Sequence, residues 1–380
     1  MKVVVAIDSL KGSLSTTEAG EAIARGVKNA LPEAEVAVSP MADGGEGTVD
    51  AIVSATKGTL RRVTVSDALG RATEATYGLL PDGKTAVMEM AAAAGLPQLR
   101  PEERNPARTT TFGVGEMILD ALSLGYRHFI VGIGGSATND GGAGMLEALG
   151  ARFLRADGTP VPRGCAGLAE ICDISLDGMH PALAKCRFEV ACDVKNPLCG
   201  ATGCSAVYAP QKGATPEMIP VLDAAVAHFA AKTAAVLPNA DADFPGAGAA
   251  GGLGFAFLAY LGAALVSGVE LVMRETGLEA LVREADVVVT GEGRLDGQSV
   301  MGKAPVGVAT LAKRYGKPVV AFSGCVTPEA TRCNDHGIDA FFPILRAPCT
   351  LAEAMKTENA AANMTAAAEQ AFRLIAAFRR

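Results

Sequence analysis

Three segments pair acids with glycines: Asp8-Ser9-Leu10-Lys11-Gly12-Ser13, Met41-Ala42-Asp43-Gly44-Gly45-Glu46-Gly47-Thr48 and Gly291-Glu292-Gly293-Arg294-Leu295-Asp296. That mixture suits phosphoryl transfer. Backbone N–H groups bared by glycine cradle phosphate oxygens, and Lys11, Arg294 and Lys303 can neutralise their charge. Magnesium takes few carboxylates and bridges phosphates, a task for which Asp43 and Asp296 are the candidates. A further carboxylate can orient or deprotonate an attacking hydroxyl. Taken singly, Asp8 or Asp43 reads as a helix cap or turn residue, and Lys11 as a solvated lysine. Their joint placement at strand ends carries the reading.

Residues 297–304 spell G-x-x-x-x-G-K-A. A phosphate-binding P-loop needs Ser or Thr after the lysine, to hold magnesium. It also follows the first strand of its sheet, whereas this stretch follows the third, and Lys303 precedes a proline-led helix at Pro305. The match is therefore coincidental spacing within a different loop.

Two more loops follow strand-like runs. HFIVGI (128–133) leads into Gly134-Gly135-Ser136-Ala137-Thr138-Asn139-Asp140-Gly141-Gly142, a glycine- and hydroxyl-rich entry to a helix and so an anion-site candidate. Its other reading is a helix cap with tight turns. Residues 187–191 lead into Cys192-Asp193-Val194-Lys195-Asn196-Pro197, where Asp193, Lys195 and Asn196 are polar groups at a strand end, or parts of an Asn-Pro turn. GAGAAGGLG (246–254) reads as close packing rather than as a ligand loop.

These loops need a scaffold, and the apolar patterning supplies one. VVVAI (3–7) is a strand buried on both faces. Ser15-Thr16-Thr17-Glu18 is a capping box ahead of a helix. Strand 35–39 and a helix near 45–56 complete a βαβα start. Residues 61–90 read as antiparallel strands with a turn at Asp82-Gly83. Helices are expected near 112–124 and 216–236. From 286 the parallel pattern returns: strands at 286–290, 318–323 and 339–344, and helices at 305–316 and 359–378. Five βα strands predict an α/β fold, a flavodoxin-like (Rossmann-like) parallel sheet formed by 1–57 plus 285–380. A large second α/β domain, 58–284, is inserted in it. Ligands of such sheets bind outside the carboxyl ends of the strands.

Bulk properties agree. The chain has 380 residues, 49% hydrophobic and 20% charged, with a net charge of −7. That is a globular balance, and the absence of an extended basic run argues against nucleic acid as a partner. No uncharged run approaches the ~18 apolar residues of a membrane span, and MKVVVAIDSL lacks the form of a signal peptide; a cytoplasmic protein is expected. Nine cysteines without a C-x-x-C pair, and four scattered histidines, read as reduced thiols and no zinc site.

The motifs D-S-L-K-G-S (8–13), A-D-G-G-E-G-T (42–48), G-G-S-A-T-N-D-G-G (134–142), C-D-V-K-N-P-L-C-G (192–200) and G-E-G-R-L-D-G-Q-S-V-M-G-K-A-P (291–305) occur in this order over essentially the whole chain. Together they resemble the bacterial class I glycerate kinases. The resemblance implies ATP- and Mg²⁺-dependent phosphorylation of D-glycerate, and a flavodoxin-like domain carrying an inserted α/β domain. Leu10 stands where many members have an aromatic residue, a harmless change. On this reading glycerate binds between the domains. Asp193 is the first choice for base or hydroxyl-orienting group, and Asp43 and Asp296 follow, for base or metal work. Lys11, Arg294 and Lys303 stabilise phosphoryl charge. Asp8, Ser9, Gly44, Gly45, Glu46, Gly134, Gly135, Ser136, Asn139, Asp140, Asn196, Gly291 and Glu292 are expected to bind substrate or nucleotide. The 2-hydroxyl is the favoured acceptor, and a homodimer is compatible with the sequence. Two rivals are weaker. An aspartyl-phosphate phosphatase would need D-x-D, and Leu10 stands where the second acid belongs. A non-catalytic sensor of a small carboxylic acid would need cations but not several acids.

Overall fold

The structure, a computed structural model, describes residues 1–378. The chain divides into two units: Met1–Asp43 with Asp50–Thr56 and Val269–Arg380, and Gly44–Val49 with Lys57–Gly268.

In the first unit five parallel strands stand in the order Ala340–Pro343, Val319–Val326, Val287–Leu295, Lys2–Ile7, Glu35–Val38. Numbered along the chain this is 2-1-3-4-5, the flavodoxin-like order. The central strands are β-branched because both faces are covered; Val3, Val5 and Ile7 pack with Ile23, Val27, Phe322, Met364 and Phe372. Helix Thr16–Ala30 begins at the Ser15–Glu18 capping box, with both reciprocal bonds made. A Cβ at Gly26 would stand 2.3 Å from the Thr365 carbonyl oxygen, so this helix and Thr357–Ala377 meet backbone to backbone there.

The third strand is longer than its β-branched run suggests. Gly291, Glu292 and Arg294, expected in a loop, belong to Val287–Leu295. Strand Val319–Val326 continues beside them, pairing Glu292 with Ser323 and Arg294 with Cys325. Gly291 is required there: its φ is +155°, and a Cβ would fall 1.9 Å from the Phe322 carbonyl oxygen.

The second unit holds a six-stranded sheet in the order Ala264–Val266, Arg187–Ala191, His128–Gly132, Thr85–Glu89, Ala72–Leu79, Thr59–Ser66. The first four are parallel and the last two join antiparallel. The parallel strands end in one row across the sheet, Glu89 beside Gly132, Gly132 beside Ala191, Ala191 beside Val266. Phe129 and Phe188 stack at 4.8 Å within its core.

Helix Met218–Val236 is long and apolar enough by composition to cross a membrane. Here Leu222, Val226 and Phe229 enter the unit's core. Asp223 accepts the Gly200 amide, and Lys232 donates to the Cys172 carbonyl. One face of it packs into the core of this unit. The GAGAAGGLG segment packs, as its small residues suggested: a Cβ at Gly251 would stand 2.0 Å from the Thr138 carbonyl, and one at Gly248 2.2 Å from that of Pro197.

Candidate active site

In the first unit the carboxyl ends of the strands surround a cavity of about 600 Å³. Asp8, Ser9, Lys11, Asp43, Glu292, Arg294, Asp296 and Lys303 all line it, so residues almost 300 positions apart in sequence share one space. Its other wall is apolar, with Ile344, Leu345, Leu351 and Met355. Thr16 ties two strand ends together: its hydroxyl donates to the Ile7 carbonyl at 2.5 Å and accepts the Met41 amide at 3.1 Å.

The acids are poised against one another. Burial pushes the Asp8 carboxyl up to about 7, and the like charge of Asp43 adds to the shift, against the pull of the Ser9 amide and Lys11. Burial also raises Glu292, opposed by the Ser299 hydroxyl and by Lys303. Ser299 donates to Glu292 at 2.5 Å, and the Lys303 ammonium stands 3.6 Å from it. Arg294 stands 3.5 Å from Asp296. Lys303 occupies the N-cap position of helix Ala304–Arg314 without a side-chain capping bond, with Ala304 and Pro305 in the first turn. The lysine of the apparent P-loop thus faces a carboxylate of its own strand.

Among the described residues no group of three or more His, Cys, Asp or Glu is placed to hold a metal. The donor set still fits magnesium, which takes one or two carboxylates and completes its shell with phosphate oxygens and water. Asp43 and Asp296 would be its protein ligands, and a cation beside Asp8 and Asp43 would relieve their mutual repulsion.

In the second unit a further set gathers at the row of strand ends. The Gly44–Gly45 turn lies against it. A Cβ at Gly44 would meet Ala191 at 2.6 Å, one at Gly132 would meet the Gly44 carbonyl oxygen at 2.5 Å, and one at Gly134 would meet the Gly45 Cα at 2.9 Å. Gly134 and Gly135 are exposed, Ser136 is buried beneath them, and Glu46 is exposed. Asp193 is exposed just past its strand and accepts the Gly268 amide at 3.1 Å.

Three expected ligand-facing residues have side chains engaged by the protein itself, two of them fully buried. Asp140 is wholly buried and accepts four bonds: the Thr111 amide and hydroxyl at 2.8 and 2.9 Å, and the Gly142 and Gly144 amides at 3.1 and 3.2 Å. In the short helix it precedes, Ala143–Ala148, the Gly144 amide is taken by this carboxylate. Asn139 is also wholly buried, its amide donating to Ser205 at 2.9 Å. The Asn196 side chain is consumed by the Thr202 carbonyl and the Tyr208 hydroxyl. All three hold loops in shape.

Two residues escaped the sequence reading. Glu89 ends its strand and accepts the Val49 amide at 2.9 Å, tying the 44–49 segment to the sheet. Lys212 is 1% exposed and bonded to the glycine loop. Nothing near Lys212 in sequence distinguishes it from a surface lysine.

Comparison with known proteins identifies the family. The chain matches the Glycerate kinase family over residues 3–376. It is 48% identical to a glycerate kinase of Haemophilus influenzae over 99% of both chains, and 47% identical to a glycerate 2-kinase of Escherichia coli over 94% of this chain and 93% of that one. A crystal structure provisionally assigned as glycerate kinase 2 of Salmonella typhimurium LT2 superimposes with a TM-score of 0.90 at 47% identity, covering 100% of this chain and 99% of that one. With its acids, cations and glycine loops at the carboxyl ends of parallel strands, the chain belongs to the glycerate kinase family.

Proposed function

We propose that the chain uses ATP and Mg²⁺ to phosphorylate D-glycerate in the cytoplasm, yielding 2-phosphoglycerate. The observation that carries the nucleotide assignment is the two-sided cavity of the first unit. At about 600 Å³ it is far too large for a three-carbon acid and falls within the range of nucleotide-sized pockets. Its apolar wall, with Leu345, Leu351 and Met355, suits a purine base. Lys11, Arg294 and Lys303 suit the phosphate chain. Asp43 and Asp296 would hold the metal, which supplies neutralisation of the charge on the β- and γ-phosphates.

The glycerate hydroxyl oxygen then forms the bond to the γ-phosphorus as the bond to ADP breaks, and its proton passes to a carboxylate. Asp193 is the favoured acceptor, as an exposed acid at a strand end fixed by the Gly268 amide. Asp43 is the second choice.

An ADP-release assay with D-glycerate tests the activity, and phosphorus NMR of the product tests the position. A 3-phosphoglycerate signal would overturn the choice of hydroxyl. If Asp193→Asn and Asp43→Asn both keep near wild-type kcat, the base assignment falls.

A further inference from the structure

Lys212 ends the short turn Pro210–Lys212, and Gly213 after it is left-handed at φ 95°. A Cβ at Gly213 would stand 2.3 Å from the Arg104 carbonyl oxygen, so the lysine is held at a fixed point. Its Nζ donates to the Ser136 hydroxyl oxygen at 2.8 Å and to the Thr138 carbonyl at 2.6 Å. Among the described residues no carboxylate stands within ion-pair distance of it. Asp140, whose charge it feels, is already engaged by Thr111, Gly142 and Gly144. Burial accordingly pushes the ammonium down to about 8.

A buried ammonium with no ion pair is an expensive way to stabilise a fold, since an apolar side chain of the same length would fill the space without desolvating a charge. Its chemistry does something an apolar residue cannot. An ammonium has only donors, so the Ser136 oxygen must accept from it, and the hydroxyl hydrogen must point elsewhere. No protein acceptor takes that hydrogen among the described residues. Ser136 directly follows the exposed Gly134 and Gly135. The carbonyl of Thr138 is pinned by the same ammonium, which fixes the loop on both sides of Ala137.

We propose that Lys212 is a positioning residue that fixes the Ser136 hydroxyl as a donor to an anionic oxygen of a reactant. The ammonium polarises the hydroxyl and makes its bond to an anion stronger than that of a free serine. The oxygen belongs either to the carboxylate of the acid substrate or to a phosphate of the nucleotide. The inference rests on the kinase reading above and adds a donor that motif reading ranks only as one loop residue among many.

The test uses the full chain with Ser136→Ala and Lys212→Met, singly and together, and measures kcat, both KM values and thermal unfolding. Ser136→Ala should raise one KM about tenfold, with Tm shifted by only a few degrees. Lys212→Met should raise the same KM, because the serine is then free to rotate, and the double variant should be no worse than the worse single one. A rise in the glycerate KM identifies a carboxylate, and a rise in the ATP KM a phosphate. Unchanged KM values in Ser136→Ala overturn the proposal even if Lys212→Met does not fold. So do effects that multiply in the double variant. A wild-type chain that fails to turn over D-glycerate would instead count against the kinase reading.

Discussion

The Asp8 amide donates to the Gly291 carbonyl at 3.0 Å, so the glycine that extends one central strand also anchors the acid at the end of its neighbour. Gly291 cannot be replaced without moving both. With φ at +155° and the Phe322 carbonyl 1.9 Å from a would-be Cβ, Gly291→Ala must shift backbone rather than a side-chain tip. We expect a loss of at least about 2 kcal/mol of stability, and a fall in kcat/KM as Asp8 moves. Urea denaturation checks the first and steady-state kinetics the second. An unchanged midpoint would mean that the strand accommodates the methyl group, against the geometry.

Asp8 also gives a pH signature. Its carboxyl is raised from 3.8 to about 7 in the folded chain, chiefly by burial and then by Asp43. Between those values the folded state holds a proton that the unfolded state has released. Its contribution to the stability of the ligand-free protein is therefore full at acid pH, falls as pH rises from about 4 to about 7, and is flat above that. Asp8→Asn removes the titration. The variant should exceed wild type in stability at about pH 8 by at most about 4 kcal/mol, with the gap closing toward about pH 4. Parallel urea curves across that range decide it; identical pH dependence in both proteins would show that Asp8 is not raised.

The P-loop resemblance yields a paired prediction. Ala304 is 1% exposed in the first turn of its helix, so Ala304→Ser adds a buried hydroxyl without creating a metal ligand, and activity should not improve. Lys303→Ala removes a cation from the cavity and leaves Glu292 without its ammonium neighbour, so on the kinase reading phosphate binding should weaken. The ATP KM should rise about tenfold or more. Improved turnover in Ala304→Ser would restore the P-loop reading.

Much of this was legible in the sequence, for local reasons. Runs such as 3–7 and 318–323 show two-sided burial directly, and Ser15 with Glu18 is a complete helix start within four residues. The Asp82-Gly83 turn is equally local, with the Gly83 amide bonded back to the Leu80 carbonyl. The five motifs located the glycine loops, and nine of their charged or polar residues line one cavity. What was not legible depends on partners far away in sequence. Gly291, Glu292 and Arg294 look like loop residues and become strand because 319–326 runs beside them. Asn139 looks like a ligand-facing amide until Ser205 covers it. Lys212 has no sequence signal, because its role exists only once Ser136 and Thr138 are folded against it.

Asp140 is where the two readings of a polar glycine loop separate most sharply. Its Oδ2 accepts from the Thr111 amide, the Thr111 hydroxyl and the Gly144 amide, and its Oδ1 from the Gly142 amide. An asparagine would have to turn an N–H₂ group toward at least one of those donors. Asp140→Asn should therefore lose about 2–4 kcal/mol of stability, through a buried donor facing a donor and the loss of charge-assisted bonds. Asp140→Ala should lose a similar amount by leaving the Thr111, Gly142 and Gly144 amides unpaired. Activity should fall only as far as the loop loosens, and saturating substrate should recover much of it. The opposite pattern, an unchanged denaturation midpoint with kcat down by about a hundredfold, would place Asp140 in the chemistry after all and return it to the role its sequence neighbours suggested.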